Sequence, residues 1–108
     1  GSGTEYLAVT PQGDLYPCHQ FTGVEEFRLG NVFTGIDRQD IVKTFRGLNV
    51  YTKKSCRNCW AKFYCSGGCA ANAWHFQKDL SGVYEIGCEL EKKRVECALW
   101  LKARELFG

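Results

Sequence analysis

Cys56-Arg57-Asn58-Cys59-Trp60-Ala61-Lys62-Phe63-Tyr64-Cys65-Ser66-Gly67-Gly68-Cys69 puts four thiols inside one short loop. Thiolates at Cys-x2-Cys spacing bind one centre from a single turn, because the second ligand meets the first about one turn later. Cys65 and Cys69 return after a Trp-Ala-Lys-Phe-Tyr excursion, and Gly67 and Gly68 let the backbone crowd a bulky inorganic ligand. The loop is a metal site, and the rest of the chain reads as scaffold and further ligands for it.

Working outward, Cys88 and Cys97 lie downstream and Cys18 upstream, for seven cysteines in 108 residues. An odd count cannot be closed by intramolecular disulfides alone, which weakens a secreted disulfide scaffold. A cytoplasmic protein is expected. A four-cysteine zinc site, built from Cys56, Cys59, Cys65 and either Cys69 or Cys88, leaves the other thiols over, and seven thiols suit two centres better. The hydrophobic share of 44% is globular, and one domain over residues 1–108 is expected, small enough for metal to contribute much of its order. A net charge of +2 argues for neither nucleic acid nor a membrane surface. No apolar run approaches the ~18 residues of a membrane-spanning helix. With Gly1-Ser2-Gly3 at its start, the chain reads as a piece of a longer protein.

Residues 5–17 read as a β-hairpin, Tyr6–Thr10 and Leu15–Pro17 about a Pro11-Gln12-Gly13-Asp14 turn, delivering Cys18 at its end. Phe27–Val32 suggests a short strand with a Gly30-Asn31 turn. Asp37 is a candidate N-cap for a helix through Arg46, with Ile41, Val42, Phe45 and Leu48 on one stripe and Gly47 as a stop. Residues 49–55 read as a linker, Ala70–Phe76 as a short helix, and Lys78–Gly82 as its break. Cys88–Phe107 is the clearest helix, with an apolar stripe through Val95, Leu99 and Leu106 flanked by Leu90, Cys97 and Leu101. Cys88 near its N-terminus gains from the helix dipole, which favours thiolate. The fold class is α+β: an N-terminal hairpin, metal-cluster loops and a long C-terminal helix.

Cys56-x2-Cys59-x5-Cys65-x3-Cys69, followed by Cys88 and preceded by Tyr16-Pro17-Cys18 and Gly30-Asn31, resembles the SPASM domain. This is the auxiliary iron–sulfur domain of radical S-adenosylmethionine enzymes that modify peptides and proteins. Glu5-Tyr6-Leu7-Ala8-Val9-Thr10-Pro11, Gly13–Phe21 and Cys88–Cys97 are similar to one branch, the maturases of six-cysteine (SCIFF, or ranthipeptide) precursors, which form thioether crosslinks. The resemblance implies a distal [4Fe–4S] cluster on Cys56, Cys59, Cys65 and Cys88. It also implies a first cluster on Cys18 and Cys69, for up to two clusters, much as a ferredoxin run lends its fourth cysteine to the other cluster.

This chain departs from the pattern in two places: Gly1-Ser2-Gly3 stands where another ligand of the first cluster is expected, and Gly35 where many SPASM domains have cysteine. By the resemblance, a missing ligand leaves one iron open to a substrate thiolate, lowering its pKa and holding the sulfur for attack by a carbon radical, after which the cluster accepts the surplus electron. The implied partners are the radical S-adenosylmethionine domain of the parent chain and a Cys-containing precursor peptide. Cys65-x3-Cys69 begins like the Cys-x3-Cys-x2-Cys motif of the S-adenosylmethionine cluster, but Asn72 takes the third place, so the radical must come from the parent's other domain. A simple electron-transfer iron–sulfur protein is the remaining rival.

Several residues carry two readings. Cys97 is either a ligand of the first cluster or a buried structural thiol. His19 and His75 are either substitute ligands or hydrogen-bonding surface residues. Trp60, Phe63, Tyr64, Trp74 and Phe76 either shield a cluster from water or form an ordinary core. Lys53, Lys54, Arg57 and Lys62 either offset cluster charge, or contact an acidic leader peptide, or form a solvated face. Lys92, Lys93 and Arg94 are the wet side of the last helix.

Overall fold

Leu15 and Tyr16 follow the Pro11–Asp14 turn, and in the computed structural model they pair back on the chain before it. All residues, 1–108, are described, and they divide into two compact units, Gly1–Leu48 and Asn49–Gly108.

In the first unit, β1 (Ala8–Val9), β2 (Asp14–Tyr16), β3 (Gly30–Asn31) and β4 (Gly35–Ile36) form an antiparallel sheet in sequence order. Val9 opposes Leu15, Leu15 opposes Gly30, and Asn31 opposes Gly35. The Asn31 amide locks this register by donating to the Asp14 carboxylate at 3.1 Å and the Gln12 carbonyl at 3.2 Å. Gly30 is dictated by close approach, since a Cβ there would run into the Gly35 carbonyl oxygen. The expected strand over Phe27–Val32 shrinks to Gly30–Asn31, because Glu25–Phe27 coil into a 3₁₀ turn that buries Phe27.

Phe21, Phe27 and Phe45 form the core of this unit. Phe21 lies 4.6 Å from Phe27 with the rings tilted by 46°, and edge-on at 5.5 Å to Phe45. Such pairs add about 0.5–1.5 kcal/mol beyond burial. Phe45 comes from α1 (Gln39–Arg46), which buries Ile41, Val42 and Phe45 and stops at Gly47, as its stripe predicts. Its cap is Arg38, not Asp37. The Asp37 and Arg38 amides both donate to the Leu29 carbonyl, so that backbone is still tied to the sheet.

The second unit has four helices: α2 (Lys54–Arg57), α3 (Lys62–Cys65), α4 (Ala70–Gln77) and α5 (Glu85–Phe107). The expected linker 49–55 is in fact a turn followed by the start of α2: the Asn49 carboxamide accepts from the Tyr51 and Thr52 amides at 2.9 and 3.1 Å, and Lys53 caps the helix. α4 ends at Lys78 in left-handed geometry, at the start of the expected break over Lys78–Gly82. α5 begins three residues before Cys88 and tolerates Gly87 in its first turn. Its apolar stripe is buried only at Val95; Leu99 and Leu106 are half or more exposed, as are Leu90 and Leu101 on the opposite side of a 3.6-residue helix. A four-stranded sheet with five α-helices makes the fold α+β. No helix is long and apolar enough to cross a membrane.

Candidate metal centre

Cys56 sits inside α2 and Cys59 just beyond it, linked by amide donation from Cys59 to the Cys56 carbonyl at 3.0 Å. The Lys62 amide closes a second turn on the Cys59 carbonyl, which starts α3 and places Cys65 at its end. Ser66, Gly67 and Gly68 then run consecutively with positive φ, 61°, 98° and 77°. L-residues resist that conformation, which is why the pair of glycines falls there. Cys88 arrives in the first turn of α5, where the dipole favours negative charge.

These four thiols, Cys56, Cys59, Cys65 and Cys88, line one cavity of about 280 Å³, walled by Val50, Ala61 and Gly67. That is many times the ~30 Å³ share of one water. Burial pushes the Cys56 thiol up in pKa; Lys53 pulls it back, and charge on Cys65 or Cys59 would raise it further. Burial likewise raises Cys88, helped by Cys56, Cys65 and Cys59 and opposed by Lys92. Burial thus disfavours the thiolate at Cys56 and Cys88, a cost that a bound cation would offset. Four soft thiols around a cavity of this size fit an iron–sulfur cluster.

The other sequence candidates lie elsewhere. Cys69 caps α4, is exposed, and opens on a second cavity of about 310 Å³ that shares Cys65, Cys88 and Glu91 with the first. Cys18 is in the first unit, between β2 and the His19–Phe21 turn, half-buried. Cys97 is exposed on α5, so the buried-thiol alternative does not hold. His19 is exposed, and the ring of His75 meets Trp74 edge-on at 5.2 Å; neither lines either cavity.

One expectation is corrected. Trp60, Phe63, Tyr64 and Phe76 are 51 to 68% exposed and do not shield the thiols; Phe63 and Tyr64 point outward from the single-turn α3, Trp60 from the turn before it and Phe76 from α4. The cations also separate: Lys54 and Arg57 are exposed, Lys62 reaches the Arg57 carbonyl at 2.7 Å, and Lys53 is buried. Lys53 is among the residues expected to offset cluster charge, but nothing in its run of cations set it apart as the buried one. The one available signal was the lack of any Asp or Glu from Ile41 to Lys78.

An α+β domain with thiols gathered in this way belongs to a cluster-binding class. The chain is a member of the SPASM family of iron–sulfur cluster-binding domains, whose model matches residues 1–60. It is 34% identical over 77 residues to an uncharacterised protein of Archaeoglobus fulgidus, covering 68% of this chain and 18% of that one. It is 29% identical over 98 residues to the PqqA peptide cyclases of Methylorubrum populi and Methylorubrum extorquens, covering 83% of this chain and 24% of each. The chain thus spans a quarter or less of these relatives.

Proposed function

We propose that this chain is an auxiliary domain of a radical S-adenosylmethionine enzyme that modifies a ribosomally made peptide, and that Cys56, Cys59, Cys65 and Cys88 hold a [4Fe–4S] cluster. The observation that carries it is the single cavity lined by those four thiols. The name of the Methylorubrum relatives supports a peptide substrate. The family model crosses from the first unit into the second, which supports one functional domain over residues 1–108.

Bound there, an iron–sulfur cluster supplies one-electron storage and, at an iron with an open position, a grip on a thiolate. The chain's own residues do the rest. The four thiols bind, the Ser66–Gly68 turn brings backbone close, and Val50 and Ala61 keep the pocket wall apolar. Cys69 is assigned to a separate first cluster, where a Cys-containing precursor is held for thioether formation. The exposure of Cys69 on a second cavity favours that separate role.

The test is iron, zinc and acid-labile sulfide per chain, purified without oxygen, with the visible spectrum. About four of each iron and sulfide is expected from the distal site, and about eight if both clusters assemble. About one zinc and no sulfide, after iron and sulfide are supplied, overturns the proposal and leaves a zinc module.

A further inference from the structure

Lys53 is the one charged side chain the chain buries, at 4% exposure. Its Nζ donates to the Gly67 carbonyl at 3.0 Å, and a Cβ on Gly67 would touch its stem at 4.0 Å. The interaction joins the start of α2, which carries Cys56, to the left-handed turn that follows Cys65. No carboxylate lies within ion-pair distance of this ammonium. None is near in sequence either, since residues 41–78 contain no Asp or Glu.

A buried charge without a counter-charge is costly, and one carbonyl takes only one of the three N–H donors of an ammonium. The groups able to repay that cost in this stretch are the thiolates. Gly67, whose carbonyl the ammonium holds, lines the same cavity as the four thiols, so the charge sits against the wall of that cavity. Lys54 and Arg57 face water, and Lys62, a half-buried residue lining the same cavity, has its ammonium drawn to the Arg57 carbonyl at 2.7 Å.

We propose that Lys53 is a positioning residue for the centre at Cys56, Cys59, Cys65 and Cys88: its buried ammonium clamps the Gly67 turn and sets the reduction potential of the bound cluster. The proposal rests on the iron–sulfur reading above. A fixed positive charge beside the thiolates favours the more negative, reduced state of the centre. Removing it disfavours that state without touching any ligand.

The test uses the anaerobically loaded chain and three forms: wild type, Lys53→Met, which keeps the apolar stem, and Lys53→Arg, which keeps the charge. Each is titrated with dithionite and followed by electron paramagnetic resonance, with iron and sulfide measured alongside. The expected result is at least a tenfold fall in the reduction equilibrium constant for Lys53→Met, about 59 mV more negative for one electron, with Lys53→Arg near wild type. Loss of the cluster in Lys53→Met with retention in Lys53→Arg also supports the role, since charge alone separates the two. An unchanged potential in Lys53→Met overturns it, as does loss of the cluster in both variants, which marks a packing role only. Iron and sulfide in the wild type report separately on the cluster reading, whose failure would remove the proposal before any variant is compared.

Discussion

Replacing Gly67 by Ala separates torsional strain from crowding in the loop that returns Cys65 and Cys69. Gly67 has φ 98°, and an added Cβ would lie 3.8 Å from Val50 Cγ1 and 4.0 Å from Lys53 Cδ, ordinary contact distances. Space is available, so the cost is torsional, about 1–2 kcal/mol for an L-residue in left-handed geometry. That corresponds to a roughly 5–30-fold loss in the population of the folded loop. Gly68→Ala, with φ 77° and nothing within 4 Å of its Cβ, should cost a similar amount. Gly67→Asn should recover part of it, because Asn tolerates this region. The assay is chemical denaturation of the metal-free chain, together with the rate at which a chelator strips iron from the loaded one. Gly67→Ala should lower stability by about 1–2 kcal/mol and speed stripping, with Gly68→Ala close behind. If both alanine variants match wild type in both assays, the left-handed turn does not hold the site.

Phe21, fully buried against Phe27 and Phe45, should cost about 3–5 kcal/mol as Phe21→Ala, measured by denaturant midpoint. The metal-free chain should lose stability at alkaline pH. Burial raises the Cys56 and Cys88 thiol pKa values in the fold, so the folded state retains protons that the unfolded chain releases above about pH 8.5. Their contribution is intact below that pH and fades as pH climbs through the raised folded values, which melting curves at pH 7 and 9.5 should show. Metal loading should show the opposite trend, weakening as pH falls because thiols must give up protons to bind. Cys97→Ser, at an exposed position lining neither cavity, should leave iron, sulfide and melting temperature unchanged.

The candidate site was legible because cysteine spacing is a chemical signal that survives without tertiary information. Cys56, Cys59 and Cys65 are local, and Gly67 and Gly68 announce the left-handed turn. The stripe of α1 was equally plain, since Ile41, Val42 and Phe45 all turn inward. Burial was not legible. Trp60, Phe63 and Tyr64 surround the thiols in sequence but sit on or beside a helix one turn long, where no periodicity marks an inner face. Lys53 and Lys54 are adjacent and chemically alike, yet only a carbonyl fourteen residues away draws one of them inside. Strands two residues long, such as β3 and β4, are set by register and by the close approach at Gly30, below the reach of alternation. Apolar residues lie on opposite sides of α5, so its stripe overstated what this chain buries.

The most direct test of the four-thiol centre is the chain in which Cys18, Cys69 and Cys97 are all changed to Ala, loaded with iron and sulfide under anaerobic conditions. About four iron and four sulfide per chain, with a cluster absorption band that vanishes on further change of Cys88 to Ala, is the predicted result. A chain that takes up no sulfide with Cys56, Cys59, Cys65 and Cys88 all in place would contradict the assignment of those four residues as a complete cluster site.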